Sequence, residues 1–267
     1  MKLNEKSESI HGMPNCSKRR KDWRLKAILC CLACVPLSTL AGPPFLTDDP
    51  EPVDYQHQEF YIATQQTRIA GDKSGTLPHF EYNYGVAPDV MLHVIVPYAF
   101  DRPADGPRQS GLGDVELGVK YRFVQETENR PMVGIFPILM AHTGDADKGL
   151  GNGATQVFLP LWLQKKWGDW QSYGGGGYWI NNAHDAKNHW FFGWQLQKEI
   201  SEHVTLGGEI YHSTEAAPGE GSSSGFNLGG SYNFDDHNHL LFSVGKGLSN
   251  ADLTNQFSSY LAYQWTW

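Results

Sequence analysis

Gly111-Leu-Gly-Asp-Val-Glu-Leu-Gly-Val-Lys-Tyr-Arg-Phe123 alternates without a fault from Asp114 onward. Val115, Leu117, Val119, Tyr121 and Phe123 share one parity, and Asp114, Glu116, Gly118, Lys120 and Arg122 share the other. Successive side chains of a β-strand point to opposite faces, so this stretch is a strand with one apolar and one charged face. Further ladders flank it: Val157-Leu159-Leu161-Leu163, Trp190-Phe192-Trp194-Leu196, Phe226-Leu228-Gly230-Tyr232-Phe234 and Leu261-Tyr263-Trp265-Trp267. No segment keeps a helical period.

Twelve strands follow from this reading, at about 57–68, 77–86, 90–100, 112–124, 131–141, 155–166, 170–180, 190–199, 204–213, 225–234, 239–247 and 256–267. Their lengths match the roughly 9–11 residues that a tilted strand needs to cross a bilayer. The connections alternate. Short ones stand at Ala87-Pro88-Asp89, Trp167-Gly168-Asp169, Ser201-Glu202-His203 and Asp235-Asp236-His237-Asn238, and long polar ones at 101–111, 142–154, 181–189, 214–224 and 248–255. Short turns at one end and long loops at the other are the build of an outer-membrane barrel.

The aromatic residues sort accordingly. With the first strand running outward, Tyr121, Phe123, Trp167, Trp170, Phe234, Trp265 and Trp267 fall at the short-turn end. Tyr98, Phe100, Trp179, Trp190, Phe192, Phe226 and Phe257 fall at the loop end. Two aromatic bands with Leu and Val between them are what the two lipid–water interfaces select. Three prolines oppose the pattern: Pro97, Pro137 and Pro160 lie inside strands of a barrel that has no edge, so bulges or bends are expected there.

The chain begins differently. A basic stretch (Lys18, Arg19, Arg20, Lys21, Arg24, Lys26) precedes an apolar run from Ala27 to Val35 and then Thr39-Leu40-Ala41, the pattern of a secretory signal peptide cleaved before Gly42. Met13 is an alternative start. All four cysteines (Cys16, Cys30, Cys31, Cys34) fall within residues 1–41. A chain processed at Gly42 needs no disulfide. Leu32-Ala33-Cys34 loosely resembles a lipoprotein site, but Cys31 stands where that signal wants an aliphatic residue. Eight of the 21 basic and three of the 29 acidic residues lie in this leader, leaving 13 against 26 and a charge near −13. Such a balance argues against nucleic acid as a partner. No long apolar run follows residue 41, which excludes helical spans. The organisation expected is therefore a signal peptide over 1–41, an extended Pro- and acid-rich segment over 42–56, and one antiparallel transmembrane β-barrel over 57–267.

Four stretches extend the reading. Gly42-Pro-Pro-Phe-Leu-Thr-Asp-Asp-Pro-Glu-Pro-Val, the opening segment from Gly111 to Phe123, Leu206-Gly-Gly-Glu-Ile-Tyr-His and Gly225-Phe-Asn-Leu-Gly resemble the outer-membrane proteins named for the meta-pathway of phenol degradation. The resemblance spans nearly all of residues 42–267. It implies an outer-membrane barrel serving as a channel or uptake protein for small hydrophobic or aromatic solutes. It carries no catalytic residue across.

Parity places Glu81, Asp114, Glu116, Lys120, Arg122, Gln156, Gln164 and Glu209 inside the barrel. A polar lumen of both charge signs is ordinary, and these groups serve equally well as ion pairs of the wall or as solute contacts. Met91, Ile95, Phe158 and Trp162 are also inward, with Phe136, Ile138 and Met140 if the fifth strand holds its register. Apolar residues on the lumen side need an apolar partner: a hydrophobic solute, or the protein's own N-terminal segment. Phe45 and Leu46 are candidates for a movable plug, with Asp48 and Asp49 meeting Lys120 or Arg122.

Enzyme and metal signals are weak. Asp145-Ala-Asp-Lys-Gly149 with Asn152 lacks the closing Glu of a calcium loop. His184, Asp185 and His189 lack zinc spacing. His212 and Ser213 are adjacent on a strand, so they point apart and cannot share a proton, and the His-x-Ser-Asn-Gly motif of outer-membrane phospholipases is absent. No enzyme and no cofactor are expected. The partners expected are outer-membrane lipid, the barrel-insertion machinery acting on the C-terminal strand, and a small hydrophobic solute. The alternatives are a phospholipase-like hydrolase and a structural barrel without transport.

Overall fold

A computed structural model describes residues 44–267, so the expected signal peptide over 1–41 and its expected cleavage site lie outside the described residues. Twelve antiparallel strands form one closed barrel. They are β1 (Gln58–Ile69), β2 (Asp72–Ala87), β3 (Val90–Arg102), β4 (Gln109–Leu112 continuing as Val115–Val124), β5 (Met132–Ile135 continuing as Ile138–Ala141) and β6 (Gln156–Trp167). The remainder are β7 (Trp170–Asn181), β8 (His189–Ser201), β9 (Val204–Ser213), β10 (Ser223–Asn233), β11 (Asn238–Ser249) and β12 (Phe257–Thr266). A single helical turn, α1 (Ala251–Thr254), sits in the last loop. Each strand pairs with the next, and β12 returns to β1 in unbroken register from Glu59↔Thr266 to Arg68↔Phe257. Beyond that ladder, the backbones of Gln58 and Trp267 bond in both directions, at 2.8 and 3.1 Å. Closure removes every edge, which lipid demands of a sheet.

The alternation of the sequence is the alternation of burial. In β4, Glu116, Gly118 and Lys120 are buried while Leu117, Val119, Tyr121 and Phe123 are exposed. Leu159, Leu161 and Leu163 of β6, Trp190, Phe192, Trp194 and Leu196 of β8, and Leu261, Tyr263 and Trp265 of β12 are likewise exposed. In water, an apolar belt this continuous around a molecule would drive aggregation. It fits hydrocarbon, with Trp265 packed against Trp267 at the short-turn end and Trp190 stacked on Phe192 at the loop end.

Three expectations need correction. Trp179 does not face lipid: it is buried inside the barrel. The run Gly174–Gly177 in β7 carries no side chains to report parity, which hides the facing of this strand. The β1–β2 hairpin is also longer than the apolar pattern indicates, since strand pairing continues to Ile69↔Asp72 around a two-residue turn. Residues 72–76 are polar, so strand that rises above the lipid leaves no hydropathy signal. Finally, the strands expected at 112–124 and 131–141 are each broken, at 113–114 and 136–137.

The breaks explain the prolines. Pro97 lies where β3 passes from one part of β4 to the other, and its carbonyl accepts from Gly113 N at 2.9 Å. Pro137 stands within the break in β5, where its carbonyl accepts from Val119 N at 3.1 Å. Pro160 stays within an unbroken β6, opposite the same break, since Ile135 pairs with Leu161 and Ile138 with Phe158. The missing donors are thus grouped where the ladder is already interrupted.

Candidate functional site

The N-terminal segment runs up the inside of the barrel. It enters at the short-turn end, where Gln56 N bonds to Gly85 O at 2.8 Å. Gly85 has no side chain there because a Cβ would lie 2.0 Å from Asp54 O. Higher up, Glu51 Oε2 accepts from Gln164 Nε2 at 2.8 Å and Lys166 Nζ at 3.0 Å. Burial works against the charge of Glu51, yet those two donors hold its carboxyl below the usual carboxylate range. Gln164 is itself oriented by Gln171, which bonds to Gln197, which bonds to Gln195: a ladder of amides across β6, β7 and β8.

At mid-height the charges meet. Lys120 Nζ reaches Asp48 Oδ1 at 2.9 Å and Asp49 Oδ1 at 3.4 Å. Arg122, the other cation considered, is held at the rim instead, with Nη2 2.7 Å from Asp89 Oδ1. Above them Glu209 takes both Leu46 N and Thr47 N at 2.7 Å, one on each oxygen, and Asn227 steadies it at 2.6 Å. A carboxylate bridging two successive amides grips the backbone itself and is indifferent to the side chains of the segment. Thr47 lies against Gly193, where a Cβ would come 2.0 Å from Thr47 Oγ1. The last described link is Ser243 Oγ to Pro44 O, 2.6 Å.

The segment also closes an apolar cluster. Met91, Phe136, Ile138, Phe158, Trp162, Trp179 and Phe191 pack together inside β3 and β5–β8, with Leu46, Val53, Met140 and Tyr211 against them. Phe158 is the hub: it stacks on Trp179 at 4.7 Å and meets Phe191 edge-on at 6.3 Å. The Trp162 indole N–H is buried with no protein acceptor. Phe45 is buried too, and with Leu46 and Pro44 it floors an outward-facing cavity of about 120 Å³ lined by Trp179, Phe191, Tyr211 and Tyr260. A second hollow of about 290 Å³, lined on the segment's side by Thr47, Asp48, Asp49, Glu51, Pro52 and Val53, lies beneath. The segment separates the two.

Of the residues singled out from sequence, Met91, Phe136, Phe158 and Trp162 are gathered in the cluster, and Phe45, Leu46, Asp48 and Asp49 lie beside it. Ile95 and Glu116 are inward but belong to a separate, polar side of the lumen. Phe191 and Tyr211 join the cluster without having been singled out. Parity alone identifies Phe191, which sits between the lipid-facing Trp190 and Phe192. Asp114 is structural. Its carboxylate accepts backbone N–H groups of Thr143, Gly144 and Asn152 at 3.1, 2.9 and 2.6 Å, tying down the loop over 142–155. Among the described residues the enzyme-like motifs are dispersed. Asp145 pairs with Lys148, His184 with Asp185, and His212 lies beside the outward Phe192 while Ser213 lies beside the inward Phe191.

Residues 74–264 match the family model described as "Putative MetA-pathway of phenol degradation". The chain belongs to that family. No curated protein matches the sequence. Among solved structures, an outer membrane channel from Pseudomonas putida F1 superposes with a TM-score of 0.68 at 16% identity, covering 82% of this chain and 98% of that one. The NanC porin superposes with a TM-score of 0.52 at 6% identity over 78% of this chain and 98% of its own. At these identities the likeness is one of fold. With the apolar belt, it makes this family member an outer-membrane β-barrel of the bacterial envelope.

Proposed function

We propose that the protein is an outer-membrane channel for small aromatic solutes, gated by its N-terminal segment. The observation that carries this reading is the cluster around Phe158, whose lumen side is covered by Leu46 and Val53 of the segment. A wall built only for stability would be closed by wall side chains, whereas here the cover is a separate stretch held largely by hydrogen bonds and ion pairs. Withdrawal of residues 44–54 leaves Phe136, Phe158, Trp162, Trp179 and Phe191 as an aromatic surface without a partner. A planar solute restores that contact. One bearing a hydroxyl or carbonyl also gives the Trp162 indole an acceptor, and aromatic stacking adds about 0.5–1.5 kcal/mol per pair beyond burial.

Opposite faces for His212 and Ser213 argue against the hydrolase reading. The family's description and the likeness to a channel favour the passage of a solute. Single-channel recording tests the proposal. A chain lacking residues 43–54 should conduct more than the full chain, and benzyl alcohol should block that current saturably. In Phe158→Ala/Trp179→Ala the block should lose its saturation. Equal conductance of a folded deletion variant defeats the gating, and an unchanged block in the double variant defeats the aromatic path.

A further inference from the structure

The geometry points to a second path: the β1–β4 side of the lumen conducts small cations past the seated N-terminal segment. This goes beyond the gated aromatic path and does not depend on it.

Two hollows lie on that side. The upper one, about 110 Å³, is lined by Thr67, Thr76, His79 and Glu116. The lower one, about 290 Å³, is lined by Glu59, Tyr61, Glu81, Asn83 and His93. The residues that part them form a mostly polar row from β2 to β4, interrupted by Ile95, which pairs with Glu81 on one side and Glu116 on the other. His79 and Glu81 are two apart on β2, and His93 of β3 bonds Asn83 Oδ1 at 2.6 Å and Glu116 Oε1 at 3.0 Å. Ala63 of β1 is paired with His79 on one side and with Ala262 on the other, so two methyl groups lie beside that row before the wall continues into Tyr61, Leu241 and Tyr260.

Three buried atoms here have no partner in the protein: His79 Nε2, Glu81 Oε2 and the Tyr260 hydroxyl. Their residues are 0%, 1% and 9% exposed, and His79 and Tyr260 approach to 6.1 Å between rings. Buried polar atoms of native proteins are nearly always satisfied. A carboxylate oxygen facing a cavity is satisfied by a donor or by a cation.

The sign is set by the charged groups that face this row. On the acidic side stand Glu59, Glu81 and Glu116 of the wall and Asp48 and Asp49 of the segment. Against them are Lys120, already shared by Asp48 and Asp49, and His93, between Glu81 and Glu116. Carboxylates therefore outnumber cations whether or not His93 carries a proton. A cleft lined by one sign within low-dielectric walls concentrates its counter-ion by an order of magnitude or more. The aromatic side offers a hydrated ion nothing, since desolvating a charge among rings is costly. The lumen is thus divided by chemistry: apolar contact along β5–β8, and ions along β1–β4.

Reversal potentials across planar bilayers in a KCl gradient test this in the full chain. K⁺ should be preferred over Cl⁻ on the order of tenfold. Glu81→Gln/Glu116→Gln should bring the preference close to parity, and Phe158→Ala should leave it unchanged. Should the double variant fail to insert, Glu59→Gln, nearer the mouth, should lower the preference partway. A Cl⁻-preferring or electrically silent full chain overturns the proposal, as does a selectivity that Glu81→Gln/Glu116→Gln and Glu59→Gln leave in place. Cation current in the full chain that is unaltered by deleting residues 43–54 would refute the gating while sustaining this path.

Discussion

Replacing Glu209 with leucine removes the grip on the segment without touching the segment itself. In the native arrangement its two oxygens each hold a backbone amide, Leu46 N and Thr47 N, at 2.7 Å. Hydrogen bonds to a charged acceptor contribute about 1.5–3 kcal/mol each, net of what water offers the released group. The two together favour the seated state by about 3 kcal/mol at the low end of that range. Their loss should shift the balance between seated and released segment by on the order of a hundredfold. The shift is readable with a thiol at position 47. Thr47 is 1% exposed, so a cysteine in its place is shielded while the segment is seated. The four natural cysteines lie at positions 16–34, outside a chain processed at Gly42. A water-soluble maleimide should label the Thr47→Cys barrel slowly, and faster by roughly ten- to a hundredfold when Glu209→Leu is added. Heat-modifiable migration of both proteins shows that the barrel itself is intact. Equal labelling rates in two folded barrels would mean that Glu209 does not hold the segment.

Other expectations follow from the wall. Leu117→Arg places a charge in the lipid belt and should cost about 2–4 kcal/mol in urea titrations of the bilayer-embedded protein. Leu117→Phe should cost little, and equal losses would mean that this face does not meet lipid. Deleting Trp265 to Trp267 removes the Phe60↔Trp265 pairing and the two bonds between Gln58 and Trp267, so the seam between β1 and β12 should fail to close. Outer-membrane levels of that variant should drop strongly on fractionation, and a normal level would refute the role of the seam. Asp114→Ala frees three backbone donors of the loop over 142–155, and limited proteolysis should then cut there while sparing the barrel.

Part of this architecture is legible in the sequence and part is not. Lipid enforces parity along a whole strand, so the inward position of Glu116, Lys120, Phe158 and Trp162 is readable from the leucines and valines between them. Parity fails where its reporters are missing. The glycines from 174 to 177 say nothing about facing, so the pattern puts Trp179 beyond them on the wrong side. Strand that rises above the membrane has no apolar face, which is why residues 72–76 read as loop. The division of the lumen is a matter of register between strands. That His93 meets Glu116 while Phe158 meets Trp179 depends on how far each strand slides along its neighbour, and one sequence does not carry that offset. The prolines show where the ladder yields but not that two of the three share one break.

The gate can be tested most directly by locking it. A Cβ at position 193 lies 3.0 Å from the Thr47 Cβ, so a Thr47→Cys/Gly193→Cys pair reaches disulfide spacing, about 3.5–4.5 Å, with a shift of roughly half an ångström. The measurement is single-channel conductance, and its saturable block by benzyl alcohol, before and after reduction of that bond. A low conductance without block is expected while the disulfide holds. Reduction should restore openings that benzyl alcohol blocks. The same conductance and the same block in the oxidised and reduced protein, with the disulfide verified by mass, would contradict a gate built from the N-terminal segment.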